Sequence, residues 1–140
     1  MGCDIHMVLE RKHGNKWVGL GEVDRPVSAR NYALFTELAG VRGESSTELP
    51  ARGIPADASD LAAMLYEDWD GDAHTPSYVS MDEFLSAWIR VAAPEKKAKW
   101  VADKLEGQSD TKYTLLLELF SIYMDDHKEA EYRLVFWFDN

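Results

Sequence analysis

Two short stretches each place a carboxylate and an imidazole two residues apart. MGCDIH, at the start, holds Asp4 and His6; DGDAHTPSY, residues 70 to 78, holds Asp72 and His74. On a β-strand, residues i and i+2 project from one face about 7 Å apart, so Asp4 and His6 share a side of any strand they occupy. A carboxylate and a histidine so placed suit two chemistries. They supply two ligands to a divalent metal, or they form a general base with its orienting carboxylate. If the 70 to 78 segment closes over that face, Asp4, His6, Asp72 and His74 make a candidate metal site, and a metal-dependent hydrolase or phosphodiesterase is the enzymatic reading. A third pair, Asp125 and His127, falls at the end of a helical pattern. There a two-residue step turns about 200° and the side chains diverge.

Other metal signatures fail on spacing. The acids Glu67, Asp68, Asp70 and Asp72 crowd around Gly71, but a calcium loop of the EF-hand type needs glycine at its sixth position. Counted from Asp68 that position is Ala73, and counted from Asp70 it is Thr75. An Asp-x-His on an early strand is similar to the first metal motif of calcineurin-like phosphoesterases. Those enzymes also need an Asn-His pair, and the chain has none. It likewise has no G-x-S-x-G, no P-loop, no dinucleotide fingerprint and no paired cysteines.

The arginines suggest a second chemistry. Arg25, Arg30, Arg42 and Arg52 all lie between residues 24 and 57, a segment without lysine. Arginine favours bidentate contact with carboxylate or phosphate. In VRG and ARG, Arg42 and Arg52 stand beside glycines that let backbone N–H groups approach an anion. With Tyr32 and Tyr78 to stack, and Asn31 and Ser77 to hydrogen-bond, the set Arg30, Asn31, Tyr32, Arg42, Arg52, Ser77 and Tyr78 suits a small phosphorylated or nucleotide-like ligand. The plain alternative is that these arginines pair with the chain's many acids.

The elements that must position these residues form a small α+β fold. CDIHMVLE, 3 to 10, alternates as a strand, HGN at 13 to 15 turns it, and KWVGLGEV, 16 to 23, returns as a hairpin. With Cys3, Ile5, Met7 and Leu9 facing the helices, Asp4, His6 and Val8 face the other way, with Trp17 on the partner strand. YRLVFWF, 132 to 138, is apolar on both faces and reads as a central strand, so the two ends of the chain meet in one antiparallel sheet. Between them the period becomes helical. NYALFTELAG, 31 to 40, closes on Gly40, and residues 58 to 66 form a second helix with Leu61, Met64 and Leu65 on one side. A third opens on a Ser80/Glu83 capping box and carries Phe84, Leu85, Trp88, Ile89 and Ala92 as its core stripe. Pro94 begins a further helix whose Lys96, Lys97 and Lys99 are solvated. A long helix after Asp110 carries Tyr113, Leu116, Leu117, Phe120, Tyr123 and Met124. Strands, then helices, then a returning strand imply one domain over residues 1 to 140 with helices packed on one face of the sheet. Residues 24 to 57 are otherwise irregular and read as a binding-loop segment.

Bulk properties narrow the partners. A formal net charge of −10 on 140 residues disfavours nucleic acid and anionic membrane. The single cysteine, Cys3, fits a reducing cytoplasm and a small buried side chain. No apolar run nears the roughly 18 residues that span a bilayer. His6 stands where a myristoylation motif needs Ser or Thr.

MGCDIH, RNYALFTELAGVRG, ARGIPAD, DGDAHTPSY and RLVFWFDN together resemble a family of small proteins encoded by bacteriophages and prophages. The resemblance covers nearly the whole chain and implies a protein acting in the cytoplasm of an infected or lysogenic bacterium. It brings no activity that transfers residue by residue. Its motif positions include Asp4, His6, Arg30, Asn31, Tyr32, Arg42, Asp72, His74, Ser77 and Tyr78. By analogy of context, the nucleotide-like ligand is then a signal of host defence. The third reading is an acidic inhibitor of a host protein, which needs acids arrayed on one face; the densest run is 67 to 72.

Overall fold

The alternation of CDIHMVLE carries through in the computed structural model, which describes residues 2–23, 31–43, 49–91 and 130–140, without the side chains of Leu85, Trp88 and Ile89. Strand β1 (Asp4–His13) turns at Gly14, whose φ of 62° suits a tight hairpin, into β2 (Lys16–Val23). The final strand, β4 (Tyr132–Asp139), lies antiparallel to β1, with Ile5 opposite Phe138 and Leu9 opposite Leu134. A further strand, β3 (His74–Ser80), pairs with the other edge of β4, giving the antiparallel order β2-β1-β4-β3. The architecture is α+β, and β4 is central, as its two apolar faces require.

The segment 70 to 78, which shows no strand period in the sequence, is a strand over most of its length; Asp70–Asp72, a single 3-10 turn, lies outside regular pairing before it. β3 hides because Pro76 interrupts its pattern, and Pro is tolerated only at an edge or bulge. The register of β3 indeed shifts between His74 and Ser77, and β3 is an edge strand. Its outer side is covered by the chain at 52 and 53: Gly53 N–H donates to the Pro76 carbonyl at 2.9 Å, and Arg52 N–H to Ser77 Oγ at 3.0 Å.

Three described helices cover the sheet, on two faces rather than one. Helix α1 (Tyr32–Ala39) is capped by the Asn31 side chain and ends on left-handed Gly40. With α3 (Met81–Val91) it covers the front face, where Leu34, Phe35, Leu38, Met81, Phe84 and Ala87 pack on Ile5, Met7, Leu134, Phe136 and Phe138. The Ser80/Glu83 capping box forms in full. Ser80 N–H donates to Glu83 Oε1 at 2.9 Å and Glu83 N–H to Ser80 Oγ at 3.1 Å.

Helix α2 (Asp60–Trp69), capped by Ser59, covers the back face, where Ala62, Leu61, Leu65, Tyr66 and Trp69 meet Val8, Val135 and Trp137. Those three sheet residues are what a one-sided arrangement would leave wet. Met64, expected on one side of the helix with Leu61 and Leu65, is 53% exposed while those two pack on the core. The helices expected over 95 to 104 and after Asp110, Ala92 of the α3 stripe, the Asp125–His127 pair, Arg25 and Arg30 lie outside the described residues.

Candidate functional site

Strand pairing decides which polar residues can meet. In β1, even-numbered residues face α2, so Asp4 and His6 share the back face with Val8, Glu10, Val135 and Trp137. His74 lies opposite Phe138 and stacks on it at 6.0 Å, while Phe138 packs on Phe35 of α1 at 5.1 Å. His74 is therefore on the front face and His6 on the back. Both occupy one end of the sheet, but the quartet Asp4, His6, Asp72 and His74 does not assemble. Asp72 is exposed in the 3-10 turn. Among the described residues no group of three or more His, Cys, Asp or Glu side chains is arranged to hold a metal ion.

His6 has a carboxylate partner other than Asp4. Its Nε2 lies 2.8 Å from Asp139 Oδ2, joining residues 133 positions apart. Asp139 is the cross-strand neighbour of Asp4. The His6 ring lies 4.2 Å from that of Trp69, the last residue of α2, and 6.3 Å from that of Trp137.

Asn140, the next residue, serves the front face. Its Oδ1 accepts from Arg42 Nη2 at 3.5 Å and lies 3.2 Å from His74 Nε2. A guanidinium only donates, so the atom it meets on Asn140 must be the oxygen. His74 Nε2 then carries a proton, and Nδ1 lies 3.0 Å from Thr75 Oγ1. This chain of bonds commits the Asn140 oxygen and leaves its amide nitrogen with two donors. The Arg42 guanidinium lies 5.5 Å from the centre of the Tyr32 ring, whose hydroxyl accepts Cys3 N–H at 3.3 Å. Tyr32 is 39% exposed.

The backbone is strained at this cluster. Thr75 has φ +50° and Arg42 φ +64°. For a β-branched residue that is a true outlier, costing about 1–3 kcal/mol where it occurs. Arg42 is held in place from α1: Val41 N–H donates to Phe35 O at 3.3 Å, and Thr36 Oγ1 donates toward Val41 O at 3.1 Å and Tyr32 O at 2.9 Å. Gly43 lies so close to Thr36 that a Cβ there would overlap the threonine side chain.

The remaining candidates have structural work. Asn31 Oδ1 accepts Leu34 N–H at 3.1 Å as the α1 cap. Ser77 is buried against Arg52 N–H. Arg52 grips Glu83 through both guanidinium arms, at 2.8 and 2.5 Å, donates to Tyr78 O at 2.9 Å and lies 5.5 Å from the Tyr78 ring. The hydrogen bonds from Arg52 hold the Glu83 carboxyl down at about 2, and Glu83 in turn raises Arg52. Of the described arginines from the loop segment, Arg52 is gripped by Glu83, and Arg42 meets Asn140 and Tyr32.

A second polar centre, marked by no motif, lies on the back face. Glu10, fully buried, accepts from Arg133 Nε at 2.5 Å and from Ser59 N–H at 2.6 Å. Arg133 donates to Asp57 Oδ1 at 2.9 Å and its guanidinium lies 4.0 Å from the centre of the Trp17 ring. Trp17 therefore neighbours Arg133 rather than His6. The Arg133 hydrogen bond lowers the Asp57 carboxyl from its ordinary value. An arginine inside the apolar run YRLVFWF, cross-strand from a glutamate in CDIHMVLE, was the available signal. Every acceptor in this centre is matched, so it fastens the 57 to 59 turn to the sheet.

No family model, curated protein or solved structure matches this chain. No described helix is long and apolar enough to cross a membrane. A depression of about 310 Å³ lies beside α3, lined by Leu49, Asp82, Glu83, Ser86 and Arg90.

Proposed function

We propose that the chain binds a small phosphorylated, nucleotide-like ligand at the sheet end where Tyr32, Arg42, His74 and Asn140 meet. The observation that carries this reading is the convergence itself. Four residues from three distant stretches are tied by one chain of hydrogen bonds and a cation–π contact, with strained backbone at Arg42 and Thr75. Strain of this kind persists where a fixed geometry is needed. Arg42 and the Asn140 amide are donors, which selects an anion. The half-exposed Tyr32 ring offers a stacking surface, and the contact of His74 Nε2 with the Asn140 oxygen orients the imidazole beside it.

In this reading the resemblance to bacteriophage proteins makes the ligand one of the nucleotide signals that bacteria raise against infection, and the site of action the cytoplasm; both rest on context. A thermal-shift panel of nucleoside mono-, di- and cyclic phosphates, each beside its nucleoside, tests the proposal. Stabilisation by a nucleotide and not its nucleoside, abolished in Arg42→Ala, is the expected outcome. A panel without any stabilisation contradicts it.

A further inference from the structure

Beyond that reading, and independent of it, we infer that His6 is a metal-free general base, positioned by Asp139, for hydrolysis of an uncharged ester with a flat apolar group. Nε2 lies 2.8 Å from Asp139 Oδ2, and an ionised carboxylate only accepts, so Nε2 holds the proton of the neutral ring. The lone pair is then on Nδ1.

Among the described residues that nitrogen makes no hydrogen bond. The imidazole is 29% exposed and the Asp139 side chain only 18%, which puts the base toward solvent and its orienter behind it. The Trp69 ring at 4.2 Å and the Trp137 ring at 6.3 Å fix the plane of the imidazole. A base, a carboxylate that fixes its tautomer and a rigid aromatic support are elements of acid–base catalysis.

The surroundings choose the substrate. Glu67, Asp68, Asp70 and Asp72, all exposed, follow the chain around Trp69. So much negative charge disfavours a phosphate or carboxylate here, whereas the Trp69 ring suits a flat apolar group. In the reaction, His6 Nδ1 takes a proton from water as the water oxygen attacks the ester carbonyl. The tetrahedral intermediate expels the alcohol oxygen, which takes the proton from the imidazolium, leaving a carboxylic acid, an alcohol and neutral His6. Asp139 offsets the ring's transient positive charge and acts only through His6; it is a positioning residue.

The test uses the full chain and 4-nitrophenyl acetate at neutral pH. His6→Gln is expected to lower the second-order rate about tenfold or more. Asp139→Asn should lower it less, with Asp139→Glu restoring part, and His13→Gln, at the exposed hairpin turn, should leave it unchanged. Melting curves of each variant separate lost chemistry from lost fold. A measurement that needs no variant is the 15N imidazole spectrum of the native protein, expected to show His6 protonated on Nε2. An equal rate in folded His6→Gln, or a His6 proton on Nδ1, overturns the inference.

Discussion

Replacing Glu83 by glutamine isolates one interaction that spans three elements. Glutamine keeps the capping box with Ser80 but removes the charge that Arg52 grips from the segment covering β3. The magnitude follows from the carboxyl, held at about 2 against an ordinary 4.5. That difference corresponds to at most about 3 kcal/mol. Both side chains are roughly a third exposed, and screening leaves about 1–2 kcal/mol. Because the folded value is depressed, this stability is present above about pH 4.5 and is lost as pH falls toward about 2. Urea unfolding followed by circular dichroism at pH 7 and at steps down to pH 2.5 reads both quantities. Glu83→Gln should be about 1–2 kcal/mol less stable at pH 7, and the gap should close as pH falls through that window. A gap that is absent at pH 7, or that persists unchanged at low pH, refutes the ion pair as the cause.

Other perturbations test the frame around the site. Gly43→Ala drives a methyl into Thr36 and should cost about 1–3 kcal/mol; a melt unchanged from the native protein would show that the 40 to 43 turn does not pack on α1. Glu10→Ala leaves the buried Arg133 without its main partner and should cost about 3–5 kcal/mol by urea unfolding, whereas a loss under 1 kcal/mol would mean that water reaches that pair. Thr75→Gly relieves the positive φ but removes the hydroxyl that meets His74. It should stabilise or leave the fold while weakening nucleotide binding, and an unchanged affinity would detach the strain from function.

Much of the fold is legible because it rests on local pattern. The two periods, the hairpin turn and the Ser80/Glu83 cap are short-range signals, and each appears at its place. β3 is not legible: a seven-residue edge strand with Pro76 and a bulge carries little alternation. The one-sided helix arrangement fails although Val135 and Trp137 already call for a second layer.

For the site, Tyr32, Arg42 and His74 are readable as residue types in irregular or Gly-flanked sequence, yet their assembly depends on register. A single residue of pairing sends His74 to the front and His6 to the back. Asp139 and Asn140, adjacent and pointing their contacts to opposite faces, carry no signal in the sequence other than ending an apolar strand. The arginine cluster divides for the same reason: Arg52 finds a carboxylate only because β3 brings Glu83 beside it.

The central claim is that an anionic nucleotide sits at the Tyr32, Arg42, His74 and Asn140 end of the sheet. An NMR titration of the 15N-labelled chain with whichever nucleotide stabilises it most tests this directly. The account predicts that the largest shifts fall on Tyr32, Arg42, Thr75, His74 and Asn140, and that Arg42→Ala removes them with the rest of the spectrum intact. Shifts centred instead on the α3 depression, at Asp82, Ser86 and Arg90, or no shifts at millimolar nucleotide, would contradict it.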